Sequence, residues 1–542
     1  MSIKESALNI AYSYLLTLNS SRDISRAREV LFDICNSNRE NFDLENNNEI
    51  VYRETQRLLS VINEKESIRK TKGVYYTPSD VVDFITKNCF FLAYNESELI
   101  DMSKDHYKIF PCENVCKEKI VFDPTCGAGE FLLSALRIKY DIWERNNEDI
   151  SRDDIENIVS TIRGNDINEE SIVITKLRIY LMSIHRYGIE KCEGLGNVMN
   201  KCFSTRDYIT EPPSQGNDYD IVIGNPPYVE DRKSGLDLLE RYGNIYANVL
   251  INAANNLKDG GVFGFIIPLS YVSTPRMQKL RDRLIQLVPE QYIMNFSDRP
   301  DCLFVSVHQK LSILISKKTN KSPRIYTGNY LYWYKEEREN LFSTIKTIEN
   351  KYIEDAYIPK LGNENDIAIY KKVVSKQRES SLADFSDDGD EFVYVNMRAT
   401  FWIKAFRKQH KGSEYKIFSF NTKGKADFYF CLMNSSLFWW FWVTVSDCWH
   451  ITKKELLAFR VPAVETYKKA SELAKKLEDK LEDTKQYVGT VQTDYEYKHK
   501  FCISEILEID DYINSVFGLS ETESDYIKKF AFNYRISGGV LK

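Results

Sequence analysis

The amino-acid sequence predicts a mixed α/β protein with a doubly wound, mostly parallel sheet, and three observations indicate this fold class. Short β-branched runs alternate with longer stretches of helical periodicity between residues 119 and 268. The first run leads into a Gly-x-Gly turn, and the first two runs each end on an acidic residue. Strands that alternate with helices form parallel sheets with right-handed crossovers, and such sheets bind ligands at the carboxyl ends of their strands.

Three regions follow one another along the chain. Residues 1–70 have helical periodicity, residues 71–325 carry the alternating pattern, and residues 326–542 combine aromatic, basic and helical segments that predict an α+β domain ending in helices. In the central region the predicted strands are 119–123, 161–166, 219–223 and 261–268, and the predicted helices are 130–143, 169–185 and 245–257.

The last region contains three distinctive segments. The acidic stretch 371–391 predicts a linker or an exposed loop. The aromatic run Phe438–Trp442 predicts a buried core segment rather than a surface that stacks on bases. Residues 465–487 predict a Lys/Glu-rich helix whose apolar stripe is formed by Leu473, Ala474, Leu477 and Leu481.

Composition excludes several classes of protein. The 542 residues are 43% hydrophobic and 28% charged, with 23 glycines and 14 prolines, which excludes a disordered chain, a collagen and a pure coiled coil. The net charge of −6 argues against a protein that coats nucleic acid nonspecifically. Residues 301–542 nevertheless carry more basic than acidic side chains, so we expect this half to contact a polyanion.

Cysteine spacing and hydropathy exclude further classes. The eleven cysteines form no CxxC pair, and no second pair follows Cys112 and Cys116, so we predict free thiols and no metal site. Residues 1–18 lack the clean apolar core of a signal peptide, and the longest apolar run, 436–445, is far shorter than a membrane span of roughly 20 residues. We therefore expect no membrane association and a cytoplasmic location.

The first candidate site is the turn after the first predicted strand, Asp123-Pro124-Thr125-Cys126-Gly127-Ala128-Gly129. Its glycines allow the backbone to approach a ligand closely. The turn lacks both the third glycine of a dinucleotide-binding motif and a phosphate-binding lysine, so it suits a nucleoside ligand without phosphate, such as S-adenosyl-L-methionine. Gly-x-Gly turns also occur without any ligand, so this motif alone does not decide the function.

Two further acidic residues follow predicted strands. Asp166 ends the second strand, where a carboxylate can accept hydrogen bonds from both ribose hydroxyls. It could equally cap the helix that opens at residues 168–170. Asp207 follows a short apolar run and could accept the exocyclic amine of an adenine, with Tyr208 against the ring. These residues extend the nucleoside hypothesis without proving it.

The most informative motif is Asn225-Pro226-Pro227-Tyr228, which follows the buried run 219–223. The Asn225 side-chain oxygen and the Pro226 carbonyl are two acceptors for the two N–H groups of an exocyclic amine, and they stabilise positive charge as it builds on that nitrogen. The prolines fix φ and keep the carbonyl pointing outward. Tyr228 offers an aromatic face to a planar substrate. The motif therefore favours alkylation of an amino group.

In their order along the chain these motifs resemble the amino-group DNA methyltransferases, specifically the N6-adenine group in which cofactor site, catalytic site and target-recognition domain follow one another. The resemblance extends from about residue 73 to about residue 535 and includes the segment Gly73–Pro78. It implies a seven-stranded Rossmann-like catalytic domain over 71–325 and a DNA-binding target-recognition domain over 326–542. It also implies methyl transfer from S-adenosyl-L-methionine to the N6 amine of a flipped adenine in double-stranded DNA.

The resemblance implies roles for individual residues. The implied cofactor contacts are Thr77, Asp123, Pro124, Cys126, Gly127, Ala128, Gly129, Asp166, Ile167, Asp207 and Tyr208. The implied catalytic residues are Asn225, Pro226, Pro227 and Tyr228. For the aromatic side chain on the far face of the flipped base we expect Phe304, with Phe296 nearby as the alternative. Among the basic residues interleaved with aromatics, Lys404 and Arg407 are candidates for phosphate contacts.

Other functions remain open at this point. Asn-Pro-Pro-Tyr can serve any planar amine or amide, so an RNA adenine or a protein glutamine is an alternative substrate. A noncatalytic DNA-specificity subunit with a decayed fold is a second alternative. Residues 1–70 are too short and too helical for a nuclease, so we expect modification only, either paired with a separate cognate restriction endonuclease or acting alone.

Overall fold

A computed structural model describes residues 2–18, 21–35, 49–62, 77–94, 114–213, 216, 218–304, 308–378, 380–490 and 493–537. The predictions made for Gly73–Tyr76 therefore lie outside the described residues, as do Cys112 and residues 305–307.

A large mixed sheet forms the centre of the described structure. Its nine strands are β1 (Val121–Asp123), β2 (Ile162–Asp166), β3 (Phe203–Thr205), β4 (Tyr219–Gly224), β5 (Leu257–Pro268), β6 (Glu290–Phe296), β7 (Leu311–Lys317), β8 (Arg324–Leu331) and β9 (Ile348–Glu349). Their order is β3-β2-β1-β4-β5-β7-β6-β8-β9. Strands β7 and β9 are antiparallel to their neighbours, and the remaining pairs are parallel. The predicted α/β class is confirmed.

The expectation of seven strands is wrong, because β8 and β9 extend the sheet. Strand β8 pairs in parallel with β6, and Glu290 faces Arg324 in the register. The polar stretch 317–324, which looks like the end of the α/β block, is the turn that leads β7 into β8. The sheet therefore continues past residue 325 to Glu349.

Helices cover both faces of the sheet. In chain order they are α1 (Ile3–Leu15), α2 (Ser21–Cys35), α3 (Tyr52–Val61), α4 (Ser79–Tyr94), α5 (Asn114–Glu118), α6 (Glu130–Asn146), α7 (Arg152–Ser160), α8 (Glu169–Tyr187), α9 (Leu195–Cys202), α10 (Asp231–Ser234), α11 (Tyr246–Asn256), α12 (Ser270–Ser273), α13 (Gln278–Leu287), α14 (Glu364–Val373), α15 (Lys423–Asn434), α16 (Ser436–Val445), α17 (Lys453–Ala458), α18 (Lys468–Thr484), α19 (Ile503–Val516), α20 (Glu521–Lys529) and α21 (Phe532–Ser537). Short 3₁₀ helices lie at Glu190–Cys192, Pro275–Met277, Lys335–Thr344 and His499–Phe501.

The N-terminal helices pack onto the sheet domain. Helices α1, α2 and α3 contact α8, and their apolar side chains join the core that covers one face of the sheet. Helix α1 begins with a capping box in which Ser2 and Glu5 satisfy each other's backbone N–H groups. The helical prediction for the start of the chain is confirmed for the residues that the structure describes.

The C-terminal region is a mixed domain whose apolar side chains belong to the same core cluster as those on the other face of the sheet. It contains strands β10 (Ser380–Ser381), β11 (Glu391–Asn396), β12 (Lys404–Phe406), β13 (Tyr415–Phe420), β14 (Arg460–Val461), β15 (Gln486–Tyr487) and β16 (Tyr495–Glu496). Phe438–Trp442 lie in the buried helix α16, and the stripe of α18 is buried as predicted. The acidic stretch 371–391 is not simply exposed, because Leu382 and Phe385 insert into the core.

Within the described residues no single helix is long and apolar enough to cross a bilayer. Helices α15 and α16 meet those criteria only when they are joined across a 57° bend.

Candidate active site

The turn after β1 presents an open backbone surface at the carboxyl edge of the sheet. Gly127 and Gly129 adopt positive φ values of 54° and 86°, which favour glycine. A Cβ at Gly127 would meet no heavy atom within 4 Å, whereas one at Gly129 would lie 2.7 Å from Thr175 Cγ2. The first glycine therefore leaves room above the turn, and the second allows the turn to pack against α8.

Asp166 holds this turn from the next strand. Its carboxylate accepts hydrogen bonds from the Gly127 N–H at 2.9 Å and from the Asn168 N–H at 2.9 Å. The N-cap of α8 is Asn168, whose side chain accepts from the Glu170 N–H. Asp166 is therefore not the capping residue.

Asn165, which the sequence reasoning did not single out, links three loops beneath the turn. Its Nδ2 donates to the carbonyls of Pro124 and Arg206, both at 3.0 Å, and its own carbonyl accepts from the Cys126 N–H at 2.9 Å. The side chain is 1% exposed. The signal in the sequence was an amide side chain directly before Asp166 at the end of a predicted strand, where a buried polar group needs hydrogen-bond partners.

Asp123 lies at the point where β1 and β4 end side by side. It is buried, and its Oδ1 accepts from the Thr125 N–H at 3.0 Å. Burial raises the pKa of Asp123 well above its ordinary value, and the nearby Asp166 carboxylate raises it further. A Cβ at Gly224 would lie 2.8 Å from Asp123 Oδ1, so the glycine that ends β4 makes room for this carboxyl group.

The Asn-Pro-Pro-Tyr segment continues directly from β4. Asn225 Nδ2 donates to Thr77 Oγ1 at 3.0 Å, and the Asn225 carbonyl lies 3.5 Å from the Thr125 hydroxyl. Tyr228 donates its hydroxyl to the Ile266 carbonyl at 2.7 Å and meets Tyr246 edge to face. The structure therefore brings together the turn, Thr77 and the tetrapeptide that the sequence reasoning selected.

A second unpredicted residue, Arg178 on α8, braces the turn from outside. Its Nη1 donates to the Ala128 carbonyl at 2.6 Å and to Glu130 Oε1 at 2.5 Å, and its Nε donates to Gln56 Oε1 at 3.0 Å. The Arg178 side chain is 6% exposed. Because Gln56 belongs to α3, the N-terminal helices are mechanically connected to the turn.

Three predicted nucleoside contacts have different outcomes. Ile167 is 68% exposed beside Asp166, and Asp207 is partly exposed, with its Oδ1 accepting from the Ile209 N–H. Tyr208 does not face this edge. Its side chain is 3% exposed, packs against Phe122 and donates to Asn256 Oδ1 at 3.2 Å. The prediction that Tyr208 lies against a ligand ring is wrong, because the side chain completes the core.

The predicted DNA contacts are also altered by the fold. Arg407 forms ion pairs with Glu391 at 2.6 Å and Asp427 at 3.3 Å and is largely buried, so the structure contradicts its assignment as a phosphate contact. Lys404 is partly buried, and this burial lowers the pKa of its ammonium group. Phe304, the residue expected on the far face of a flipped base, is 1% exposed and belongs to the apolar core that covers one face of the sheet.

The described residues contain no group of three or more His, Cys, Asp or Glu side chains that could hold a metal ion.

Burial, together with the nearby carboxylates of Asp166 and Asp123, raises the pKa of Cys126 well above its ordinary value. The thiol in the turn is therefore protonated and is a poor nucleophile.

Comparisons with known proteins bear on this region. Residues 160–301 match the model of the Eco57I restriction-modification methylase family. The chain is 26% identical over 280 residues to the type II methyltransferase M.BanIII of Aneurinibacillus aneurinilyticus, covering 50% of this chain and 43% of that one. It is 22% identical over 207 residues to the type II methyltransferase M.PaeR7I of Pseudomonas aeruginosa, covering 36% and 32%. The chain thus spans less than half the length of these relatives.

The likeness to one restriction-modification enzyme of known structure extends over nearly the whole chain. The type IIL restriction-modification enzyme MmeI, determined in complex with DNA, superposes with a TM-score of 0.51 at 11% identity, covering 99% of both chains. At this identity the likeness concerns the fold alone. The region around the candidate site is therefore similar in sequence to restriction-modification methylases, and the whole chain is similar in fold to one enzyme of such a system.

Proposed function

We propose that this chain, whose residues 160–301 carry the sequence pattern of a restriction-modification methylase, transfers a methyl group from S-adenosyl-L-methionine to the N6 amine of adenine in double-stranded DNA. The observation that carries the proposal is the position of Asn225 and Pro226. They follow β4 at the edge where the glycine turn and Asp166 also lie. Asn225 is bonded to Thr77, and its carbonyl lies 3.5 Å from the hydroxyl of Thr125 in that turn.

The residues present fit S-adenosyl-L-methionine. The open backbone at Gly127 suits close approach of a nucleoside, and Asp166 and Asp207 supply acceptors for hydroxyl and amino groups. An exposed isoleucine at position 167 gives an apolar surface for an adenine ring. When bound, the cofactor supplies a methyl group on a positively charged sulfur. Thr77, which is buried and bonded to Asn225, would be one of the residues that hold this cofactor.

The tetrapeptide has the groups needed to prepare an exocyclic amine. Thr77 accepts from Asn225 Nδ2, and this bond fixes the orientation of the amide, whose Oδ1 would be the end that accepts from a substrate. The Pro226 carbonyl supplies the second acceptor. Two acceptors hold both N–H groups, direct the nitrogen lone pair at the methyl group, and stabilise the positive charge that develops as the N–C bond forms.

Tyr228 is held in a fixed orientation for stacking. Its hydroxyl is bonded to the Ile266 carbonyl and its ring is buttressed edge-on by Tyr246 at 6.4 Å between centroids. A planar base can therefore lie against the ring without first ordering it. An adenine in duplex DNA must leave the base stack to reach such a site, so the proposal includes base flipping.

The substrate class is tested by methyl transfer from tritiated S-adenosyl-L-methionine to duplex DNA of mixed sequence, to RNA and to a protein extract. We expect radioactivity in DNA, recovered after enzymatic digestion as N6-methyl-2′-deoxyadenosine. Label in RNA alone, or in a polypeptide digest as methylglutamine, would overturn the proposal in favour of the corresponding alternative substrate.

A further inference from the structure

A shallow cleft lies between the central sheet and the C-terminal region, outside the site described above. The sheet side contributes the loops around Ser297–Arg299 and Lys310 together with Tyr330 and Tyr332, and the C-terminal side contributes Thr400, Phe401, Cys448 and Trp449. The cleft is therefore built from both halves of the chain.

Strand directions place this cleft on the catalytic edge of the sheet. Strands β6 and β8 run parallel to β4, so the residues that follow them, Ser297 and Tyr332, lie at the same edge as Asn225. Lys310 precedes the antiparallel β7, and its carbonyl accepts from the Leu269 N–H at 3.0 Å. Strand β7 is two positions from β4, a separation of about 10 Å.

Three basic side chains surround Trp449. Its ring centroid lies 4.5 Å from Arg398 Cζ, 4.4 Å from Lys310 Nζ and 6.0 Å from Arg299 Cζ. Lys310 is partly neutralised by Asp298 at 3.8 Å. Both arginines are exposed, and neither forms an ion pair with a carboxylate of the described residues. Arg299 and Arg398 thus bring two uncompensated positive charges to one aromatic ring.

Backbone contacts hold these groups in place. Arg398 and His450 form an antiparallel bridge, and the Ala399 N–H donates to the Trp449 carbonyl at 3.2 Å. Cys448, immediately before the tryptophan, adopts a φ of +57°, an uncommon conformation for a residue other than glycine. On the sheet side, the Ser297 hydroxyl bonds both the Arg299 N–H and the Arg299 carbonyl. The cluster is preorganised.

The carboxylates near the cleft already have partners within the protein. The Asp447 Oδ1 accepts from the backbone N–H groups of Trp449 and His450 at 2.9 and 3.3 Å. Asp298 is buried and faces Lys310. The exposed charged groups near Trp449 are therefore two guanidinium groups, that of Arg299 in the lining of the cleft and that of Arg398 over the indole beside it. This combination suits a phosphodiester group.

We propose that Arg299 and Arg398, held against Trp449, bind phosphates of the DNA strand that carries the target base. The inference rests on the proposed function and deepens it by assigning the phosphate contacts to this cleft. Arg299 follows β6, which is three strand positions, about 14 Å, from β4, so phosphates held there would leave the intervening edge for the flipped base. Contacts of this kind position a duplex without reading its sequence.

The test is the salt dependence of binding to a duplex of mixed sequence, measured for the full chain with fluorescent DNA. The R299A/R398A double variant should bind this duplex more weakly than the wild type. The slope of the logarithm of the association constant against the logarithm of the salt concentration should become shallower by about 2, since each lost phosphate contact removes about 0.9. R53A/K469A removes two exposed charges from α3 and α18 and should leave the slope unchanged. Equal slopes for wild type and R299A/R398A would overturn the inference.

Replacing the Trp449 indole gives a second, independent test of the phosphate contacts. Trp449→Leu keeps apolar volume but removes the aromatic face that holds the arginines, so DNA affinity should fall by about 3-fold or more, while affinity for S-adenosyl-L-methionine stays at the wild-type value. If Trp449→Leu lost affinity for S-adenosyl-L-methionine as well as for DNA, the tryptophan would be supporting the fold as a whole, and a role specific to phosphate binding would be contradicted.

Failure of the inference can be separated from failure of the proposed function. If wild-type protein methylates DNA but the cleft variants bind it normally, only the phosphate assignment is wrong. If wild-type protein transfers no methyl group to DNA, the proposed function is wrong, whatever the salt slopes show. Preferential retention of single-stranded RNA by the wild-type cleft would also contradict the assignment to duplex DNA.

Discussion

The Asn225 side-chain nitrogen lies 3.0 Å from the Thr77 hydroxyl oxygen, although 148 positions separate the two residues in the chain. Thr77 precedes α4 and is buried, whereas Asn225 follows β4 and is partly exposed. This bond connects a residue expected to contact the cofactor with the segment expected to hold the amine. It also fixes the orientation of the Asn225 amide.

Asn225→Ala should reduce methyl transfer by about 100-fold or more, because it removes an acceptor whose bond strengthens as charge develops on the nitrogen. Affinity for S-adenosyl-L-methionine should change little. Single-turnover transfer and calorimetric cofactor binding measure the two quantities. Asn146→Ala, an exposed amide at the end of α6, is the control. Turnover at the wild-type rate in Asn225→Ala would remove the residue from the mechanism.

Thr77→Val should produce a smaller loss, about 10-fold, since the amide stays but is no longer held in one orientation. The effect should nearly vanish in the Asn225→Ala background, because the two side chains act as a unit. A double-mutant cycle on the transfer rate measures this. Additive losses would show that Thr77 acts independently of Asn225.

Asp166→Ala should weaken binding of S-adenosyl-L-methionine by about 10- to 100-fold, the range expected when hydrogen bonds to a charged acceptor are lost. Asp153→Ala removes an exposed carboxylate from the first turn of α7 and should have no effect. Titration calorimetry compares the two variants. Unchanged affinity in Asp166→Ala would restrict this carboxylate to bonding the N–H groups of Gly127 and Asn168.

Gly129→Ala should lower the free energy of unfolding by about 2 kcal/mol or more, because the new methyl group meets Thr175 at 2.7 Å in a left-handed backbone conformation. Gly188→Ala has a similar φ of 81° but open space around the Cβ, so it should cost only about 1 kcal/mol. Urea denaturation compares the variants. Equal losses would mean that contact with Thr175 is unimportant.

Lys139 should make stability depend on pH. Burial lowers its pKa to about 7, although its ammonium group donates to the carbonyls of Cys116 and Lys119 and to the Thr161 hydroxyl. Between this value and the ordinary 10.5, the unfolded chain binds more protons than the folded one, so the free energy of unfolding rises with pH. The penalty is fully present below pH 7 and relieved by pH 10.5.

Lys139→Met removes this titration. From pH 7 to pH 9 the free energy of unfolding of the wild type should rise by about 2 kcal/mol relative to the variant. Urea denaturation of both proteins at each pH cancels the contributions of all other groups. A constant difference across this range would show that Lys139 stays protonated in the folded protein, held by its three acceptors.

Local sequence predicted the residue types of the candidate site and many of the strands and helices that carry them. Buried runs of β-branched residues specified β1, β2, β4 and β5, because a strand between two helical layers must be apolar on both faces. The order of Asp123, Asp166 and Asn225 at the ends of these strands predicted their meeting at one edge, since parallel strands end on the same side. Periodicity also placed the stripe of α18 correctly.

Tertiary structure alone decided which side chains are available at that edge. Tyr208 and Arg407 have suitable chemistry, but packing buries the first and two carboxylates neutralise the second. Conversely, Asn165, Arg178 and Trp449 acquire their positions only through contacts between distant segments. Spacing along the chain reports the face of one helix or strand, whereas exposure and ion pairing depend on elements that meet only in the folded protein.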